Sequence, residues 1–211
     1  MNLSPEFSLI HHYFNTLTAE RDDVVVGIGD DCAVLYTPAN TLTAVSIDTL
    51  VQGTHFFADV DPYRLGIKAL AVNLSDLAAM GAEPAWFTLA LTLTEINDKW
   101  LKQFSAGLAE IAKQHRIQLV GGDTTRGPLS ITIQVHGHLQ AENMLRRNAA
   151  KPADLICVTG CLGDAAAALQ YKLGQLDKSA LSDTDIEYLL QRLEMPTPRN
   201  QIGQQLAGQA H

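Results

Sequence analysis

The segment from Asp61 to Gly81 constrains the fold of this chain more than any other stretch. Asp61-Pro62 predicts the start of a helix, with the aspartate as N-cap and the proline in the first turn, and Gly81 predicts its end. The residues between them are apolar on almost every side of that helix. The sequence therefore predicts a buried helix that is packed on more than one side.

Apolar, β-branched segments on both sides of this helix predict strands. The predicted strands span 33–36, 42–51, 86–93, 117–120, 129–139 and 155–159, and helices are predicted at 164–173 and 183–193, from Ser4-Pro5, from Asn97 or Asp98, and from about Arg199. This mixture predicts an α+β fold. The polar stretch 148–153 indicates a linker. We therefore expect one domain over residues 1–147 and the start of an α/β domain, left incomplete, over residues 148–211.

The overall composition narrows the classes of partner. With 211 residues, 46% of them hydrophobic and 18% charged, the chain can bury a core, and long disorder is not expected. A net charge of -8 disfavours binding to nucleic acid. No segment predicts a membrane span, and three cysteines without zinc spacing, in a chain without a signal peptide, predict a cytoplasmic protein with reduced thiols.

Acidic residues recur on glycine turns or inside apolar runs, where no Lys or Arg stands directly beside them. They are Asp30-Asp31 in a Gly-Ile-Gly-Asp-Asp turn, Asp48 in a predicted strand, Asp76 on an apolar stripe of the long helix, and Asp123 after Gly121-Gly122. A buried carboxylate without a counter-ion is very costly. These positions therefore predict that the acids converge on cations.

Most of these acids also have an ordinary structural interpretation. Asp30-Asp31 can be a turn or a cap, and Asp48 can mark a bulge or the edge of a sheet. Asp76 is harder to explain in this way, since carboxylates are rarely found on an apolar stripe. Considered jointly, the acids favour Mg²⁺, which takes few protein carboxylates and completes its shell with water and phosphate. We predict several Mg²⁺ ions that hold a polyphosphate.

Two further segments bear on substrate binding. The glycine-rich run 121–127 predicts a loop whose backbone amides, or a cation such as Arg126 or Arg147, bind phosphate oxygens. It is not a Walker A loop, since Gly-x4-Gly-Lys-Ser/Thr occurs nowhere in the chain. His55 follows the strand that carries Asp48. A lone histidine is more often structural, and a substrate contact is the alternative.

Taken together, these motifs resemble those of thiamine-monophosphate kinases. The resemblance is carried by residues 6–10, 27–33, 46–51, 53–56, 68–82 and 121–127, and so extends over essentially the whole chain. The wider superfamily includes aminoimidazole ribonucleotide synthetase, selenide-water dikinase and a hydrogenase maturation factor. The resemblance implies an N-terminal α+β domain that forms a homodimer, followed by an α/β C-terminal domain.

The resemblance also implies a reaction and the residues that serve it. The reaction is ATP-dependent phosphorylation of thiamine monophosphate to thiamine diphosphate, with the γ-phosphate passed directly to the substrate phosphate. The positions that match the family's Mg²⁺ contacts are Asp30, Asp31, Ser46, Ile47, Asp48, Asp76 and Asp123, with Ile47 acting through its backbone oxygen. His55 matches a substrate contact, and Gly122 and Arg147 match nucleotide contacts.

Part of the family's pattern is absent from this chain. The Asp-Leu-Ser-Asp-Gly-Leu motif and later substrate contacts do not occur in the 211 residues, so the activity of the chain alone stays open. Two alternatives also stay open. One is another ATP-dependent member of the superfamily, of the synthetase type. The other is an inactive module that binds nucleotide and dimerises.

Overall fold

The computed structural model describes residues 5–176, 179 and 181–210, so the predicted Ser4 cap lies outside it. The helices are α1 Pro5–Tyr13, α2 Pro62–Ala79, α3 Asp98–His115, α4 Asp164–Lys172, α5 Asp183–Glu194 and α6 Asn200–Leu206, with a 3-10 helix at Ala141–Asn143. The strands are β1 Val24–Val26, β2 Val34–Leu35, β3 Leu42–Val51, β4 Glu83–Leu93, β5 Gln118–Arg126 and β6 Ser130–Leu139. Across these described ranges, no helix combines the length and the hydropathy needed to cross a membrane.

Four strands form the main sheet in the order β3-β6-β4-β5. β4 and β5 are parallel, the other pairs are antiparallel, and β3 and β5 are the two edges. Alternation in β6 places Ile131, Ile133 and Val135 on one buried face, as the sequence predicts. α2 lies against this face and α3 packs beside α2, so the core of the molecule sits between the sheet and these two helices.

Helix α2 is packed on more than one side, which confirms the prediction. Asp61 caps it, as expected. α3 crosses α2 so closely that a Cβ on Gly66 would lie 2.2 Å from the Phe104 carbonyl oxygen. On another side α6 docks through Asn200, whose side-chain amide donates to the Leu74 carbonyl at 2.9 Å. The helix is therefore enclosed by the sheet, α3 and α6.

The opposite face of the sheet is only partly covered. β1 and β2 pair as a small antiparallel hairpin that packs over Trp86 and Val120. Away from this hairpin, Val45 is 55% exposed and Ile47 is 58% exposed. We call this surface, formed by the outward side chains of the four strands, the open face.

Strand β5 continues further than the sequence predicts. A loop was expected after Val120, whereas residues 121–126 stay paired with β4. Glycine makes this possible, because Gly122 lies against the backbone of Leu89, where a Cβ would be 1.9 Å from the carbonyl oxygen. A register shift just before Thr88 absorbs the extra residue. The expected loop is therefore wrong, because residues 121–126 form a strand, and phosphate binding by the backbone amides of this run or by Arg126 stays a prediction.

The predicted strand at 155–159 is also wrong, because this segment has no regular structure. Leu155 is 90% exposed and Ile156 is 98% exposed, so no neighbouring strand offers them hydrogen bonds or packing. The helices that follow are confirmed as α4, α5 and α6. α5 is joined to α2 by ion pairs from Arg64.

Candidate functional site

Three of the predicted metal contacts meet along the line where β3 lies against α2, which we call the seam. Ser46 Oγ donates to Asp76 Oδ2 at 2.5 Å. The backbone N–H of Asp48 donates to Asn73 Oδ1 at 3.0 Å. β3 and α2 run in opposite directions here, so Asp48 and Asp76 come from distant parts of the sequence and meet at one end of the seam. We call Ser46, Asp48, Asn73 and Asp76 the acidic cluster.

The two carboxylates of this cluster lie close enough for the charge of one to act on the other. Burial, and then the charge of Asp76, raises the pKa of Asp48, while His55 acts in the opposite direction. Neither carboxylate forms an ion pair with a basic side chain in the part of the chain that the structure describes. Two uncompensated carboxylates and a hydroxyl oxygen are ligands that hard divalent cations accept, so these residues fit Mg²⁺.

The acidic cluster is only a partial set of ligands. Among the described residues, no three His, Cys, Asp or Glu side chains gather closely enough to hold a metal ion. Mg²⁺ commonly binds through one or two carboxylates and completes its octahedral shell with water and substrate phosphates. The cluster therefore suits a Mg²⁺ ion that arrives with a polyphosphate.

Asn73 lies in the acidic cluster, although no sequence pattern singles it out. It is 1% exposed, its Nδ2 donates to the Ala69 carbonyl at 3.0 Å, and its Oδ1 accepts the Asp48 amide. The signal that was available is an amide side chain in the middle of an apolar helix, because buried polar groups need partners. Asn73 fixes the backbone of Asp48 against α2, in the place where Asp76 is exposed.

His55 lies at the opposite end of the seam from Asp76. Its Nδ1 accepts the Val51 amide at 3.0 Å, and its carbonyl accepts Lys68 Nζ at 2.9 Å. The imidazole is exposed, so a substrate can reach it. Its role as a substrate contact stays a prediction.

The other predicted acids lie away from the acidic cluster within one chain. In the register of the sheet, Asp123 of β5 lies beside Ala90 of β4, Ala90 lies beside Thr132 of β6, and Thr132 lies beside Thr49 of β3. It therefore lies at the β5 edge, about 14 Å across the sheet from β3. It is also on the open face, whereas Asp48 points toward α2. Within one chain, Asp123 is therefore not part of the acidic cluster. Its role as a metal ligand stays a prediction.

Asp30 and Asp31 form an exposed turn at the end of the β1–β2 hairpin region. Asp30 Oδ1 accepts the Asp31 amide at 2.8 Å. No hydrogen bond among the described residues joins this turn to the acidic cluster. The hairpin places the turn on the open-face side of the sheet.

The remaining predicted contacts are also spread out. The Ile47 side chain points to the open face, and the metal contact through its backbone oxygen stays a prediction. Gly122 lies in the β5 edge strand, and Arg147 is exposed after the 3-10 helix. Their roles stay predictions.

An ion-paired network holds the hairpin that leads to Asp30-Asp31. Arg21 donates twice to Asp23, at 2.9 and 2.7 Å, and Trp86 Nε1 donates to the same carboxylate at 2.9 Å. The hydrogen bond from Arg21 is the main reason that the pKa of Asp23 lies below its usual value, and burial opposes it. This network ties the start of β1 to β4.

We expect Asp23→Asn to lower the free energy of unfolding at pH 7 by about 1–3 kcal/mol, because a charged, partly buried hydrogen-bond acceptor is lost. The folded-state pKa of Asp23 is depressed, so its contribution is complete above the ordinary carboxyl value of 3.8 and is lost as the pH falls below it. Urea unfolding at neutral and acidic pH checks this. Asp22→Asn, at the exposed neighbour, is the matched control. If Asp23→Asn lowered the free energy of unfolding equally at neutral and acidic pH, the role of the Asp23 charge would be contradicted.

Known proteins are similar to this chain in sequence. The family model described as AIR synthase related protein, N-terminal domain, matches residues 29–139. A thiamine-monophosphate kinase of Salmonella typhimurium is 54% identical over 201 residues, which are 95% of this chain and 61% of the relative. The chain therefore spans about three fifths of the length of this relative.

Solved structures show the same similarity. The crystal structure of thiamine-monophosphate kinase from Stenotrophomonas maltophilia K279a matches with a TM-score of 0.83 and 48% identity, over 91% of this chain and 61% of that one. A structure described as AaThiL complexed with AMPPCP and TMP matches with a TM-score of 0.73 and 25% identity, over 82% of this chain and 55% of that one.

Proposed function

Because this chain belongs to the AIR synthase related protein family, we propose that it is part of a kinase that phosphorylates thiamine monophosphate to thiamine diphosphate with ATP. The observation that carries this proposal is the uncompensated pair Asp48 and Asp76, in a chain 54% identical to a thiamine-monophosphate kinase. The AaThiL structure, complexed with AMPPCP and TMP, supports the same pair of substrates. Residues 148–211 would then begin a C-terminal domain that follows the domain over residues 1–147.

Direct in-line transfer of a phosphoryl group requires positioning and charge neutralisation more than covalent chemistry. When bound, Mg²⁺ supplies that neutralisation between two anionic substrates. Asp48 and Asp76 would hold the ions, Ser46 would orient Asp76 through its hydrogen bond, and the Ile47 carbonyl would add a backbone ligand. Because the carboxylates approach from both β3 and α2, a Mg²⁺ ion held by them would be fixed in place on the seam.

A homodimer would complete this site. The exposed Val45 and Ile47 make the open face suited to cover by a second copy, and soluble oligomers most often pair by a twofold axis. Such an axis can set the β5 edge of one copy beside the β3 edge of the other. Asp123, and the Asp30-Asp31 turn on the same side, would then reach the partner's acidic cluster.

The nucleotide contacts fit the same arrangement. Gly122 precedes Asp123 on the β5 edge, so a polyphosphate held between the two copies would pass close to its backbone. Arg147 would supply a cation from the loop that leads into residues 148–211. Both assignments rest on position alone and are part of the proposal.

The decisive experiment is a product assay with ATP and Mg²⁺ on the full-length protein and on this chain of 211 residues. We expect thiamine diphosphate from the full-length protein, and weak Mg²⁺-nucleotide binding with little turnover from the shorter chain. Formylglycinamidine ribonucleotide, offered in parallel, tests the synthetase-type alternative. Product from that substrate, with none from thiamine monophosphate, would overturn the proposal. Dimerisation without turnover by either chain would favour the inactive module.

A further inference from the structure

Lys68 lies on the seam, at the end away from Asp76. The two residues are eight positions apart on α2, which places them about 12 Å apart along the helix axis. Between them the seam carries the Asp48–Asn73 contact. The seam therefore has carboxylates at one end and an amine at the other, next to the exposed His55.

The amine of Lys68 has N–H donors that no protein group of the described residues accepts. Its one hydrogen-bond partner in the described residues is the His55 carbonyl, at 2.9 Å, although an ammonium has three donors. No carboxylate of the described residues lies within ion-pair distance of it. Glu194, the acid whose charge acts on it, is already paired with Arg64 at 3.1 Å. A nearby anion would therefore stabilise this half-buried ammonium, which has unused N–H donors and no ion pair.

Burial lowers the pKa of Lys68, and the charge of Glu194 opposes that shift. A phosphate monoester beside the amine would favour the charged form, because an opposite charge stabilises an ammonium and charge-assisted hydrogen bonds are strong. The simpler role is a tether that fixes the turn after β3 through the His55 carbonyl. That tether uses one N–H and leaves two donors for a ligand.

We propose that Lys68 binds the phosphate of the acceptor substrate, a phosphate monoester, in the part of the seam between His55 and the acidic cluster, where the polyphosphate would be held. This inference rests on the proposed function and deepens it. Lys68 would then select a phosphorylated acceptor over the corresponding free alcohol. It is a substrate-binding residue, and it takes no part in breaking or forming bonds.

The test uses the full-length protein with Lys68→Met, Lys68→Arg and, as a matched control, Lys102→Met at an exposed lysine of α3. We expect Lys68→Met to raise the KM for thiamine monophosphate about 10- to 100-fold. The KM for ATP should stay within about threefold of the wild-type value, since uniform damage to the fold would change both. Lys68→Arg should recover most of the loss, and Lys102→Met should match the wild type.

Binding measurements separate selectivity from stability. In the presence of AMPPCP, the wild type should bind thiamine monophosphate more tightly than thiamine. Lys68→Met should reduce the ratio of these two affinities by about the same factor as the rise in KM. Melting temperatures show whether each variant is folded. An unchanged KM for thiamine monophosphate in Lys68→Met, or a rise confined to ATP, would overturn the role of Lys68. Absence of turnover in the wild type would instead overturn the proposed function.

Discussion

Mixing two inactive variants, Asp76→Asn and Asp123→Asn, is expected to restore about a quarter of the wild-type turnover once the subunits exchange. Each variant alone should lose turnover on the order of a hundredfold or more, because each removes a carboxylate that we propose as a Mg²⁺ ligand. In one chain Asp123 lies at the β5 edge and Asp76 lies beside the β3 edge. If each site combines Asp76 of one copy with Asp123 of the other, half of the sites in a mixed dimer are intact. The measurement is steady-state turnover of the full-length proteins after mixing.

The double variant Asp76→Asn/Asp123→Asn, mixed with wild type, is the matched control. If the site spans two copies, mixed dimers contain no intact site, so turnover falls to about a quarter of the activity of wild type alone. If each chain carries its own site, about half remains and the two single variants do not rescue each other. That second pattern would refute the shared site while leaving the kinase activity intact.

Replacing the buried Asn73 with leucine is expected to lower the affinity for Mg²⁺ about 10- to 100-fold, as is usual when a residue that supports a metal ligand is changed. Leucine has a similar size but cannot accept the Asp48 amide, so the backbone of Asp48 is no longer held beside Asp76. The free energy of unfolding should also fall, by about 1–3 kcal/mol, because the partly buried Asp48 amide loses its acceptor. Mg²⁺-dependent turnover and urea unfolding measure the two effects separately.

Asn200→Leu provides the matched control for this substitution. Asn200 of α6 is 3% exposed, and its amide donates to the carbonyl of Leu74 in α2, the helix that carries Asn73, away from Asp48. Its loss should lower stability to a similar degree and leave the dependence on Mg²⁺ unchanged. If both variants shift the Mg²⁺ dependence equally, Asn73 acts only through the stability of α2.

Most of the secondary structure follows from local sequence patterns. The cap at Asp61, the strand over 42–51 and the alternation of Ile131, Ile133 and Val135 are all confirmed. Each of these signals depends on residues close together in the chain. The segment 155–159 has an equally apolar composition but no partner, so composition alone predicted a strand that does not form.

The candidate site was predicted less completely than the fold. Ser46, Asp48 and Asp76 do meet, because β3 lies against α2 in opposite directions. Asn73, and Lys68 in its proposed role, were missed because an amide or an amine in an apolar helix has no distinctive spacing. Their roles depend on which backbone groups of the neighbouring strand face them.

Residue types, caps and periodicity were sufficient to predict the helices α1 to α6 and the four strands of the main sheet, and to show which acids have no cation beside them in the chain. They were not sufficient to group those acids in space. The grouping depends on the strand order β3-β6-β4-β5 and on the alternation of side chains across the sheet. These features set Asp48 on the face toward α2 and Asp123 on the open face at the far edge, because a single residue of register decides the face of every side chain in a strand.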